Sequence, residues 1–142
     1  MRATDGAAGY DLHACEETII LPGTTASVRT GVCLAMPAPF VVGDDSLLGG
    51  PAALLGVEAQ VRGRSGLAFQ HGIVAHVGTI DSDYRGEIAV LLHNTRRQPY
   101  RVRVGDRVAQ LVFAPVLLPE LVEVEALTAT ERGAGGFGST GR

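Results

Sequence analysis

The chain contains no lysine and no tryptophan, and all twelve of its cationic side chains are arginine. Phosphate-binding loops of the GxxxxGK[ST] kind need a lysine after their glycines, so that class of nucleotide site is excluded. Any phosphate bound here must be held by guanidinium groups, hydroxyls and backbone N–H groups. Cysteine is nearly as scarce. Cys15 and Cys33 form no CxxC pair and read as free thiols in a reducing compartment. His13, His71, His76 and His93 show neither HxH nor HExxH spacing, which argues against a zinc site. No GxSxG nucleophile elbow is present. The opening "MRATDGAAGY" has no apolar h-region and does not read as a signal peptide. The apolar run "QLVFAPVLLPELVEV" is interrupted by Pro115 and Pro119 and is too short to cross a bilayer. A net charge of −3 argues against a nucleic-acid partner. Together these absences lead to the expectation of a soluble, cytoplasmic protein with no nucleic-acid and no membrane partner. The locally basic stretch Arg96, Arg97, Arg101, Arg103 and Arg107 reads as a solvated strand face.

What is present is β structure. With 142 residues and 46% hydrophobic content, the chain is long enough for one domain around a real core. Its dominant period is two: Val57, Ala59 and Val61 alternate with Glu58, Gln60 and Arg62. Residues 18–21, 28–36, 72–77, 87–93, 100–104, 107–113 and 121–125 are further β-rich runs punctuated by Gly, Pro, Asp or Asn. No capped stripe of helical period occurs. The pattern predicts an all-β sandwich or jelly roll over residues 1–131. Two segments depart from it. Residues 43–56, "GDDSLLGGPAALLG", read as a long inserted loop. Residues 132–142, "RGAGGFGSTGR", form a glycine-rich tail with too little apolar surface to fold alone.

Four further stretches are polar and glycine-rich against this background: "AAGYDLHA" (7–14), "GRSGLA" (63–68), "GTIDSDYRGE" (78–87) and "GDRVAQLVF" (105–113). The third, lying between two β-rich runs, reads as a hairpin with an acidic tip. Taken singly, each has a plain structural reading: Asp11, Asp81 and Asp83 as turn residues, Tyr84 as an ordinary half-buried ring, Arg64 and Ser65 as a turn, Gln110 as a cross-strand bond. Taken together they hold what triphosphate chemistry uses. The carboxylates serve for base work or metal orientation, and Arg64, Arg85 and Arg132 for phosphates. Ser65, Ser139 and Thr140 with glycine N–H groups can nest oxyanions, and Tyr84 and Phe137 can stack on a base or sugar.

"AGYDLHA", "GRSGLA", "GTIDSDYRGE", "GDRVAQLVF" and "RGAGGFGSTG" resemble, in order, the five sequence motifs of the homotrimeric dUTPases, over residues 3–141. The resemblance implies a jelly-roll fold and a homotrimer whose active sites are shared between chains. It implies Mg²⁺-dependent hydrolysis of dUTP to dUMP and pyrophosphate, which keeps uracil out of DNA and supplies dUMP. It makes Asp81 the catalytic base. Uracil and deoxyribose would be held by Gly78, Thr79, Ile80, Tyr84 and Phe137, with Tyr84 excluding a 2′-hydroxyl. The phosphates would be held by Arg64, Ser65, Gly66, Gln110, Arg132, Gly138, Ser139 and Thr140. Asp11 would act on the metal through water, and the tail would order over bound nucleotide.

Three departures from the family pattern stand out. The first motif comes almost at the start, where the family has a preceding strand. Gly63 replaces a common proline, and the 43–56 loop is longer than the usual connection. Two alternatives are a dCTP deaminase-like enzyme of the same fold and a non-catalytic regulatory homologue. The deaminase family carries a catalytic glutamate three residues before an asparagine, and here that position, before Asn94, is Leu91.

Overall fold

The computed structural model describes residues 2, 4–42 and 53–136. Among the described residues ten strands run β1 (Gly9–His13), β2 (Thr18–Ile20), β3 (Thr25–Arg29), β4 (Phe40–Val42), β5 (Ala53–Arg62), β6 (Ile73–Ala75), β7 (Gly78–Ile80), β8 (Ala89–Asn94), β9 (Tyr100–Val102) and β10 (Arg107–Leu117). The largest sheet has the order β1-β10-β5-β4, with β7 also on β5; β3-β8-β6 form a second sheet and β2-β9 a third pair. All pairings are antiparallel. This is an all-β jelly roll, as the period-two pattern predicts. Between the sheets lies one core of β-branched and aliphatic side chains, among them Ile20, Val28, Ile73, Ile88, Val90, Leu92, Val102 and Val108, all essentially inaccessible. Alternation places them: in β8, Val90, Leu92 and Asn94 point inward while Ala89 and Leu91 point out.

Asn94 is the polar exception in that core, with 0% exposure. Its Nδ2 donates to the Ile20 (3.0 Å) and Gln98 (2.8 Å) carbonyls, and its Oδ1 accepts from Arg96 N–H (2.9 Å). One side chain thereby ties the ends of β2 and β8 to the loop before β9, with every polar atom paired.

The structure corrects five expectations. Residues 53–56 are not loop: they open β5 and pair with both β4 and the end of β10. Of the 28–36 run only Val28 and Arg29 are strand, because Gly31 takes φ +69 and breaks the ladder. Leu34 and Met36 nonetheless pack on the core. Residues 121–125 form no strand; Leu121, Val122 and Val124 are exposed and meet no partner strand among the described residues. The 78–87 segment is not a hairpin, since β7 pairs with β5 and β8 with β3 and β6, so the segment crosses between sheets. A π-helical turn, Leu67–His71, follows the Arg64–Ser65 pair where only a turn is expected. Among the described residues no strand lies beyond β1, which is the sheet edge. No helix among them is long and apolar enough to cross a membrane.

Candidate active site

The first cluster forms where β1, β10 and β5 meet. Antiparallel register sets Asp11 opposite Gln110, and Gln110 opposite Arg62. Gly63 ends β5, and its carbonyl accepts from Gln110 Nε2 (3.3 Å). The chain then turns back and directs Arg64 across β10, where Nη1 donates to the Arg107 carbonyl (3.0 Å) and Nε stands 3.8 Å from Asp11 Oδ1. Arg107 Nη1 reaches Asp11 Oδ2 at 3.4 Å. Asp11 is therefore a half-buried carboxylate between two guanidinium groups, which leaves the cluster net positive and fixes both arginines. Gly9 belongs to the same packing, because a Cβ there would come within 2.8 Å of Gln110 Oε1. Ser65 and Gly66 are exposed at the start of the helical turn, and the space over Gly66 is open. These groups can take an anion.

The second cluster is the crossing from β7 to β8. Thr79, Ile80, Asp81, Tyr84, Glu87, Ile88 and Ala89 line a cavity of about 260 Å³, which has room for a nucleoside but not for a triphosphate as well. Its floor is β7, which among the described residues pairs with β5 alone; its other edge is suited to the edge of a base. Asp81 follows directly and starts a tight turn in which Tyr84 N–H donates to the Asp81 carbonyl (3.1 Å). The Tyr84 hydroxyl donates to the Glu87 carbonyl (3.1 Å). The ring lies so close over Gly86 that any Cβ there would collide with the phenol oxygen. Arg85 closes the loop, donating from Nη1 to the Ser82 (2.8 Å) and Tyr84 (3.0 Å) carbonyls. That guanidinium, a phosphate candidate by composition, is a structural clip in this chain.

The loop is anchored through Glu87. Its Oε2 accepts from Arg29 Nε (3.0 Å) and Nη2 (2.8 Å), and its Oε1 accepts from Gly31 N–H (2.8 Å). The Arg29 guanidinium first, and then the Gly31 N–H, hold this carboxyl below the usual carboxylate range. Glu87 was not legible as functional from the sequence, and neither was Arg107, which reads there as part of a solvated basic face.

The two clusters are separate within one chain. Ile80 pairs with Ala59 on one side of β5, and Gln110 pairs with Arg62 on the other. Strand spacing and rise put Asp81 roughly 15 Å from the arginine cluster along the sheet. Arg132 sits in an exposed turn late in the chain, with Nε donating to the Gly135 carbonyl (2.9 Å). Phe137, Gly138, Ser139 and Thr140 lie outside the described residues. So do residues 43–52 of the expected loop.

A sequence model of the dUTPase family matches residues 1–43 and 46–141. The chain belongs to the dUTPase family. Within the 43–56 stretch, residues 44 and 45 fall outside the match. The deoxyuridine 5'-triphosphate nucleotidohydrolase of Nautilia profundicola is 49% identical over 141 residues, covering 98% of this chain and 87% of its own. The enzyme of that name from Helicobacter pylori J99 is 44% identical over 140 residues, covering 97% and 85%. Among solved structures, the Staphylococcus bacteriophage 80alpha dUTPase with dUPNHPP superposes with a TM-score of 0.81 at 26% identity, over 100% of this chain and 90% of that one. A phage phi11 dUTPase that coordinates a structural Mg(II) ion shares the fold, at 22% identity and a TM-score of 0.73, over 91% and 90%.

Proposed function

We propose that the protein hydrolyses dUTP to dUMP and pyrophosphate. The observation that carries this reading is the β7–β8 crossing: it sets the Asp81 carboxylate and the Tyr84 ring on one nucleoside-sized cavity, floored by a free strand edge, in a chain of the dUTPase family. The edge of β7 at Gly78, Thr79 and Ile80 hydrogen-bonds uracil and leaves no room for a 5-methyl group. Tyr84 packs on the deoxyribose and excludes a 2′-hydroxyl. Asp81 takes a proton from water, whose oxygen attacks the α-phosphorus; the bond from that phosphorus to the bridging oxygen of the β-phosphate breaks, and pyrophosphate leaves. Positioned bases of this kind contribute about 10²–10⁴-fold.

Arg64, Ser65, Gly66 and Gln110 hold the phosphates, with Asp11 keeping Arg64 and Arg107 in place. Among the described residues no three carboxylate, histidine or cysteine side chains converge on a point. That donor set fits a Mg²⁺ ion carried in by the triphosphate, with Asp11 reaching it through water, better than an all-protein cage. The ion would supply charge neutralisation at the phosphates.

The separation of the two clusters supports an active site assembled between chains of a homotrimer, with Asp81 from one and Arg64 from another. The tail, residues 132–142, completes it: Phe137 stacks on uracil, while Arg132, Gly138, Ser139 and Thr140 grip the terminal phosphates. Ordering such a glycine-rich segment costs entropy that a full triphosphate offsets, so closure also selects substrate.

Incubation with Mg²⁺ and each deoxynucleoside triphosphate in turn, with assays for pyrophosphate and ammonia, tests the proposal. Pyrophosphate from dUTP alone is expected. Ammonia from dCTP would point to a deaminase, although the position three before Asn94 is the outward-facing Leu91. No release from dUTP under any metal condition would point to a non-catalytic homologue.

A further inference from the structure

The loop that carries Asp81 and Tyr84 is held at its far end by a side chain with no part in the chemistry above. β3 and β8 pair with Arg29 opposite Ala89, two residues beyond Glu87. This register lets Arg29 donate to Glu87 through both Nε and Nη2, while Gly31 N–H, presented by its left-handed φ of +69, takes the second carboxylate oxygen. Arg29 is steadied in turn by Glu16, at 3.7 Å. The next residue is already fixed, since Ile88 N–H donates to the Val32 carbonyl (2.8 Å). Glu87 is thus the point where the anchored strand passes into the loop. Its carbonyl is also the acceptor for the Tyr84 hydroxyl.

We propose that Glu87, clamped by Arg29 and the Gly31 N–H, is a positioning residue for sugar selectivity: it fixes the carbonyl that holds the Tyr84 hydroxyl, and so sets where the ring blocks a 2′-hydroxyl. The proposal rests on the dUTP-hydrolase reading for the identity of the sugar. The clamp itself rests on geometry alone. Two guanidinium donors on one carboxylate oxygen, with a backbone donor on the other, define position better than a single exposed ion pair. With it gone, the loop keeps the Arg85 clip and the Ile88–Val32 backbone bond but loses the side-chain clamp that steadies them.

The experiment compares Glu87→Ala, Arg29→Ala and Glu87→Gln with the parent protein by kcat and KM for dUTP and UTP, and by amide hydrogen exchange over residues 82–87. Glu87→Ala and Arg29→Ala should each raise the UTP-to-dUTP ratio of kcat/KM by about three- to tenfold, the scale of one charge-assisted hydrogen-bond network in a partly exposed site. KM for dUTP should change more than kcat, and exchange should quicken over 82–87 but not in β8. Glu87→Gln has one acceptor oxygen, for either the Arg29 donors or the Gly31 N–H but not both, and should fall between the parent and Glu87→Ala. In the background of Tyr84→Phe, which has no hydroxyl to hold, Glu87→Ala should add little. An unchanged ratio in Glu87→Ala and Arg29→Ala, or an equal effect in the Tyr84→Phe background, would overturn the proposal. If Glu87→Ala does not fold, Arg29→Ala carries the decision from the other side of the clamp. If the parent protein turns over no dUTP, the functional reading fails, and exchange over 82–87 still decides whether the clamp exists.

Discussion

Mixing two inactive variants gives a quantitative test of how the active site is built. Asp81→Asn removes the proposed base and should lower kcat at least about 10²-fold, with little loss of nucleotide affinity. Arg64→Ala removes a proposed phosphate ligand from the other cluster and one of the two guanidinium groups beside Asp11, 3.8 Å away. The strands beside them flank β5 on opposite sides, with Ile80 opposite Ala59 and Gln110 opposite Arg62, three residues further along. If each active site takes Asp81 from one chain and Arg64 from a neighbour, an equimolar mixture reassorted at random restores both groups in about one site in four, by the symmetry of a closed trimer. The expected kcat per chain is therefore roughly a quarter of the parent value, and it should scale with the product of the two mole fractions. The assay is pyrophosphate release after the variants are co-refolded or co-expressed at set ratios. Activity that stays at the level of the separate variants, with mixed trimers demonstrated by mass, would refute the shared-site reasoning. Both groups would then act within one chain.

A chain ending at Arg132 should keep the fold, since the described part of the tail packs on none of the buried core; circular dichroism should be unchanged and turnover should fall by about tenfold or more, on the scale of a lost closing segment. Asn94→Leu should be among the more damaging core substitutions: it leaves the Ile20 and Gln98 carbonyls and the Arg96 N–H without partners, at about 1–3 kcal/mol for each group that stays dry. A drop in Tm of only a degree or two would mean that water replaces the side chain. The Glu87 carboxyl is depressed by Arg29, with Glu16 and Cys15 the other titratable groups facing the pair. Its contribution to stability should therefore be complete at neutral pH and should fade only as pH falls below the ordinary glutamate value of about 4.3. Thermal melts of the parent protein and Glu87→Ala should differ at pH 7 and converge in that acid window. A difference that stays constant through it would show that the ionised carboxylate is not the stabilising form.

What the sequence made legible, and what it hid, divides along physical lines. Period two is written locally, in the alternation of Val57, Ala59 and Val61 with polar neighbours, so the all-β core follows from side-chain type alone. Pairing partners are not local. The 78–87 segment has the composition of a hairpin, yet β7 joins β5 and β8 joins β3, because each strand finds its apolar complement on a different sheet. Residues 121–125 alternate as a strand should, but a strand needs an edge to pair with, and among the described residues of this chain none accepts them. The candidate site shows the same division. Asp11, Arg64 and Gln110 can be picked out by type, and the β1–β10–β5 register then brings them together. Arg107 and Glu87 could not be picked out, since an arginine or glutamate among many has no local mark. Their importance comes from what lies across the ladder: Asp11 for the one, Arg29 and the Gly31 N–H for the other. A composition-based reading assigns Arg85 to phosphate because it counts charges. The fold assigns it to the carbonyls of Ser82 and Tyr84, because a tight loop must first satisfy its own backbone. Residues proposed to touch substrate are thus the easier ones to name from sequence, and those that hold them still emerge only once strands are paired.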